Sequence, residues 1–344
     1  MTAPSALRTR LGDLSWLWWV RLPRQASRLP GASGSLVADG HFLAAYPVLG
    51  ATATPVAAGC GLGLGAVTIG YARSFSESLT LMLVAVFLGF LATQLGAAFM
   101  VGFVSGDFLI GQPKWIFNSI AADGLLDDGV LAGLLRLRLP MLIGYLVLGL
   151  VVVLLPVLVR VLVAGLPGLY RLPNWLVFAV VAALSAGLAY VAVLLWTGGA
   201  PVLVRPLYTW SSNVSIQGNI AAGDLTVPVA GIEPLQRDGG AIAAMAAVAS
   251  VLRSGLTLLT WREPWLHART AKVESALAEP IEAAIPAGRF GPWKAAVLAA
   301  VLSTMLLAGM MAVWWVAAVL FVDFRLFAAN LGAAGARVRH AEAE

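Results

Sequence analysis

Three aspartates come nearest to a chemical site in this 344-residue chain. Asp123 and Asp127 stand four positions apart, so on a helix they would share one face, as paired metal-binding carboxylates do, and Asp128 follows directly. A solvated loop face has the same appearance, and that is the reading taken here. The other reactive residue types are scattered. His41, His267 and His340 lie neither four residues apart nor beside a serine or cysteine, which argues against a zinc hydrolase and a Ser-His triad. With Cys60 as the one cysteine, no intrachain disulfide or thiolate cage can form. Gly59, Gly61, Gly63 and Gly65 alternate with apolar residues and lack the lysine and hydroxyl of a phosphate loop. The expectation is a protein without cofactor or metal that is not an enzyme.

Composition sets what those residues stand in. With 60% hydrophobic and 11% charged residues, most of the chain belongs in lipid. A net charge of +5 would suggest nucleic acid in a soluble protein, but the basic residues flank apolar stretches. They orient the chain against an anionic leaflet, and no nucleic-acid partner is expected. The lysines are Lys114, Lys272 and Lys294 alone, and arginine and alanine dominate. That composition suits a GC-rich bacterial genome, hence a bacterial cytoplasmic (inner) membrane.

The expected fold is all-α: a polytopic membrane protein of five spans, six if one marginal helix inserts, with interfacial amphipathic helices. Residues 1–41 form a basic, tryptophan-rich interfacial segment. Its apolar core is too short to span, and Trp16, Trp18 and Trp19 beside arginines favour the headgroup level. Residues 42–198 hold four spans. The first, from Phe42 to Tyr71, carries Pro47 and Pro55, which predict a kink or break. Its glycine pairs Gly59/Gly63 and Gly61/Gly65 offer small faces to a partner helix. The second, Ser78 to Val104, continues that spacing at Gly89, Thr93 and Gly96. A cytoplasmic loop over 105–138 follows. Spans three and four, Leu139–Leu166 and Trp175–Trp196, make a hairpin across a Pro/Gly turn, each long enough for a hydrocarbon core of about 30 Å.

Residues 199–294 read as an irregular insertion. Val202–Val204, Val214–Gln217 and Leu225–Val229 look extended. Ala241–Trp261 is helical, yet Arg253 at its centre costs about 2.5–3.5 kcal/mol on insertion scales, which makes the segment marginal. From Pro264 an amphipathic helix turns Leu266, Val273, Leu277 and Ile281 inward. The last span lies within 295–325, and 326–344 is a charged tail. Trp175, Trp196, Trp293, Trp314 and Trp315 fall at span ends as further interfacial anchors.

Five spans with a cytoplasmic N-terminus leave sixteen of the 22 Lys and Arg residues inside. A sixth span through Ala241–Trp261 would move Arg262 to Lys294 outside, so the positive-inside bias favours five. Polar candidates for function are Asp107, Asp123, Asp127, Arg160 and Arg253. Asp107 lies at a span end, and Arg160 is placed to snorkel. No acidic residue stands deep in a span, which counts against an ion-coupled carrier. The leading expectation is therefore a non-catalytic membrane subunit of a multi-component bacterial assembly for transport or secretion, partnered by other membrane or cytoplasmic subunits and by the lipid bilayer. A channel or permease for a neutral or lipidic substrate comes second. An intramembrane enzyme using the Asp123–Asp128 loop comes third.

Overall fold

The computed structural model of the chain describes residues 3–27, 37–67, 79–111, 145, 148–164, 166, 174–215 and 237–283. Among them every regular element is helical. In chain order these are α1 (Ala3–Trp16), a wide turn (Leu17–Arg21), α2 (Leu22–Ala26), a 3-10 turn (His41–Ala45), α3 (Pro47–Val67), α4 (Leu79–Leu91) and α5 (Thr93–Gly106). After a second wide turn (Asp107–Gly111) come a third (Leu150–Leu154), α6 (Leu155–Ala164), α7 (Asn174–Ser215), α8 (Gly239–Arg262) and α9 (Pro264–Ala283). Among the described residues four stretches are long and apolar enough to cross a membrane: Pro47–Val67, Thr93–Gly111, Leu176–Gly199 and Gly239–Arg262. The expected last span and Trp293, Trp314 and Trp315 lie outside the described residues, as do Asp123, Asp127, Asp128 and Leu225–Val229.

Glycine sets the closest approach. Helices α3 and α5 run parallel with their backbones in contact, because Gly61 and Gly65 face Gly102 and Gly106. A Cβ at Gly61 would land on the Phe99 carbonyl oxygen and one at Gly65 on that of Phe103, while Gly102 and Gly106 meet the Ala58 and Leu62 carbonyls. Gly59 and Gly63 point into open space, so of the two glycine pairs one is on the contact face and the other is not. Of the kink or break expected in the first span, no break occurs: α3 continues through Pro55. The proline lies on the exposed face, where no neighbour has to accommodate its ring.

The break falls instead at Ala92, which is extended (φ −157°, ψ 136°) between α4 and α5. What the sequence suggested as one span, Ser78 to Val104, is a helical hairpin. A Cβ on Gly96 would sit 2.9 Å from the Gly89 Cα, whereas seven residues of unbroken helix would separate them by about 10 Å. Both glycines leave room for the backbone of Val152, which wedges against the vertex. The chain approaching α6 runs toward that vertex: Tyr145 lies at the far end of α5 beside Asp107, and Arg160 reaches the hairpin tip.

Helix α8 belongs to the bundle and is not a surface element. Ile242, Ala243, Ala246 and Ala249 join Leu81, Met82, Ala85, Phe90, Phe99 and Val151–Val153 in one core. The helix begins against Thr197 of α7 and ends beside the start of α3, where Tyr46 donates its hydroxyl to the Leu256 carbonyl at 2.8 Å. The 202–204 run, expected to be extended, is helical and continues α7.

A second core caps one end of the bundle. There Trp19, Val20, Phe42 and Leu43 pack with Leu91, Ala92, Leu95 and with Val273 and Leu277 of α9. Trp19 corrects the expectation of an interfacial anchor. It is fully buried, and its indole N–H donates to the Gly50 carbonyl at 2.8 Å. Trp16, Trp18 and Trp196 are half-buried, and Trp175 stands at the start of α7. Arg24 binds the Ala276 carbonyl and His41 meets Glu274 at 2.8 Å, so the N-terminal segment and α9 share one end of the molecule. Helix α8 runs from Thr197 of α7 to the end that the N-terminal segment shares with α9.

Candidate functional site

The hairpin tip creates a polar problem inside an apolar core. Helix α4 ends with carbonyls that have no next turn to bond, and α5 begins with amides that have no previous one. Two arginines and one aspartate from distant parts of the chain meet that demand. Arg160 of α6 donates from Nη2 to the Gly89 and Phe90 carbonyls, each at 3.0 Å. Arg253 of α8 donates from Nη1 to the Leu91 carbonyl at 2.9 Å. Asp39 accepts the Thr93 amide at 2.8 Å, which caps the start of α5.

The same three side chains pair with one another. Asp39 Oδ2 accepts from Arg160 Nη1, and Oδ1 accepts from Arg253 Nη2 at 2.9 Å. Arg160 also reaches the Thr93 hydroxyl, and the Phe42 ring lies under the Arg253 guanidinium, 5.1 Å from its centroid. The turn bearing Asp39 is held by Gly40. Its φ of +92° suits glycine, and a Cβ there would strike Ala92, so the turn docks directly on the vertex. Each charged side chain is about a fifth exposed: 19% for Arg160, 22% for Asp39 and 22% for Arg253. Burial by itself would raise the Asp39 pKa. The two guanidiniums and the Thr93 bonds outweigh it and hold the carboxyl well below the usual carboxylate range.

Beside the cluster lies a cavity of about 210 Å³, open on one side. Arg160 and Arg253 line it together with Ser185, Ser250, Ser254 and Thr257, against apolar walls that include Val159, Phe178 and Val181. The hydroxyls of Ser250, Ser254 and Thr257 each donate to the carbonyl four residues back in α8. Besides the Ser185 hydroxyl, the donors that line the cavity are guanidinium N–H groups.

Of the candidates named from sequence, Arg160, Arg253 and Gly89 come together here. Arg160 does not snorkel outward; it turns inward because the α4 carbonyls and Asp39 repay its burial. Gly96 supports the vertex from the other arm. Asp107 is elsewhere, buried near the far end of α5, where it accepts from the Tyr145 hydroxyl. The sequence singles out neither Asp39 nor Tyr145, and Thr93 only as part of a small-residue packing face. The signal for Asp39 was indirect: two arginines within apolar helices require a counter-ion, and few acids stand near span ends. Among the described residues no group of three His, Cys, Asp or Glu could hold a metal ion. No protein-family model, curated protein or solved structure matches the chain.

Proposed function

We propose that this chain is a non-catalytic integral protein of the bacterial cytoplasmic membrane, its N-terminus cytoplasmic, that acts as a permease for a lipidic substrate. The observation that carries this reading is the broken α4–α5 helix held by an ionic cluster beside a cavity. In lipid, backbone groups freed by a break are tolerated only where protein or a lined cavity satisfies them. Transporters use such breaks to bind what they carry, and ionisable groups set among apolar membrane helices are functional by default. Asp39, about a fifth exposed and just before the first span, also brings an acidic group against these helices.

Helix α7 supports a second reading, a subunit of a larger transport or secretion assembly. Most of Leu176–Gly199 is not buried, and Tyr190, Val191, Leu194 and Leu195 are exposed, which suits either lipid or a partner helix. One preparation separates the two. The protein is purified in mild detergent, its bound partners are identified by mass spectrometry, and the same material is reconstituted for flux of fluorescent long-chain lipids. Flux by the lone protein, lost in Asp39→Asn, supports the permease. A stoichiometric partner without which no flux occurs supports the subunit, and a lone protein inert in flux refutes both.

A further inference from the structure

We propose that the cavity beside Arg160 and Arg253 binds an amphiphile whose head carries one negative charge, a carboxylate or phosphate monoanion, with its chain leaving through the open side. The inference rests on the reading above that the bundle lies in a bilayer, but not on transport.

The first argument is charge balance. Among the described residues the cluster contains two guanidiniums and one carboxylate. The helix ends at Ala92 do not change the sum, because the C-terminus of α4 and the N-terminus of α5 bring opposite partial charges to the same point. One positive charge remains, in surroundings where an unpaired charge is costly.

The second argument is donor chemistry. Protein acceptors engage Nη1 and Nη2 of both arginines, and no described residue accepts from the Nε–H of either. With the α8 hydroxyls committed to backbone, the site offers N–H donors and net positive charge, which suits an acceptor-only group.

The third argument is size. About 210 Å³ holds a headgroup and a few methylenes, not a whole lipid, and Val159, Phe178 and Val181 give the first methylenes an apolar wall. The open side is where the remainder of the chain passes into the bilayer.

The test uses the full chain in dodecyl maltoside, with n-dodecyl phosphate, dodecanoate and inorganic phosphate as probes and native mass spectrometry with thermal stabilisation as readouts. Both chain-bearing anions should bind saturably. Inorganic phosphate should bind about tenfold more weakly or worse, since two buried methylenes alone give that factor. Arg253→Gln, which neutralises the cluster, should weaken dodecyl phosphate binding about thirtyfold or more, the low end for removing one partner of a buried charge pair. Ser254→Leu fills the cavity without touching the cluster and should weaken binding to a similar degree. Absence of saturable binding overturns the proposal, as does wild-type affinity in both variants. Inorganic phosphate binding as tightly as dodecyl phosphate overturns it in favour of a small-anion site. Binding of dodecyl phosphate without its flux in vesicles refutes the permease and leaves the ligand assignment standing; flux that persists in Arg253→Gln and Ser254→Leu does the reverse.

Discussion

Asp39→Asn keeps the size of the side chain and an acceptor for the Thr93 amide while removing one charge. Both ion pairs are lost: the amide nitrogen cannot accept from Arg253, and the oxygen that still accepts the Thr93 amide meets Arg160 as a neutral acceptor. At about 1.5–3 kcal/mol each, their loss amounts to about 3 kcal/mol or more. The figure agrees with the cost of about 3–5 kcal/mol for stripping one partner from a buried pair, because both guanidiniums stay where they are, tied to the α4 carbonyls. The charge of the cluster rises from one to two positive. Arg253→Gln moves it the other way, to zero, and should cost less than Asp39→Asn even though it also forfeits the Leu91 bond. Combining the two restores the original excess, so the double variant should be more stable than the sum of the singles predicts, by a coupling of about 0.5–3 kcal/mol. Reversible unfolding in mixed micelles titrated with dodecyl sulfate, followed by far-UV circular dichroism, gives the free energies. A loss below about 0.5 kcal/mol for Asp39→Asn, the size of an ordinary surface change, would refute the account of the cluster. Strict additivity would refute the charge balance.

Two further expectations concern the architecture. Gly61→Leu and Gly65→Leu each drive a side chain into the backbone of α5 and should destabilise by about 1–3 kcal/mol or more, whereas Gly59→Leu and Gly63→Leu, facing open space, should stay within about 0.5 kcal/mol in the same micelle titration. Sidedness can be read by thiol labelling in a Cys60→Ser background: Arg10→Cys and Lys272→Cys should react from one face of oriented vesicles and Gly198→Cys from the other. Labelling of the first two from opposite faces would sink the common end assigned to the N-terminus and α9.

Much of the helical character could be read from the chain. Leu266, Val273 and Leu277 follow a helical period and are buried as that period requires. The glycine spacing of α3 pointed to close packing, though not to which of two overlapping pairs would make it. The hairpin was hidden because nothing in Leu91-Ala92-Thr93 announces a break: there is no proline, and Ala92 becomes extended only because Asp39, Arg160 and Arg253 satisfy the groups it frees. Those partners lie 54, 70 and 162 residues from the atoms they bind. No local pattern spans such distances. Arg253 therefore looked like an unpaid cost in its own helix, and its true balance depends on a turn near the start of the chain. Trp19 misled for a related reason. Tryptophan beside arginine resembles a headgroup anchor until the Gly50 carbonyl, 31 positions on, takes its N–H.

The pairing also orders the birth of the molecule. As the chain emerges from the ribosome, Asp39 and the hairpin are made first, Arg160 follows, and the three can already form a neutral set. Helix α8 arrives some ninety positions later carrying a charge with no partner of its own, and membrane entry costs it about 2.5–3.5 kcal/mol until it finds Asp39 and the Leu91 carbonyl. In the proposed membrane setting it is therefore the piece that completes the cluster, received by a structure already waiting for it. A chain in which that earlier structure fails to form should leave α8 outside, in view of the proteases that survey unfinished membrane proteins.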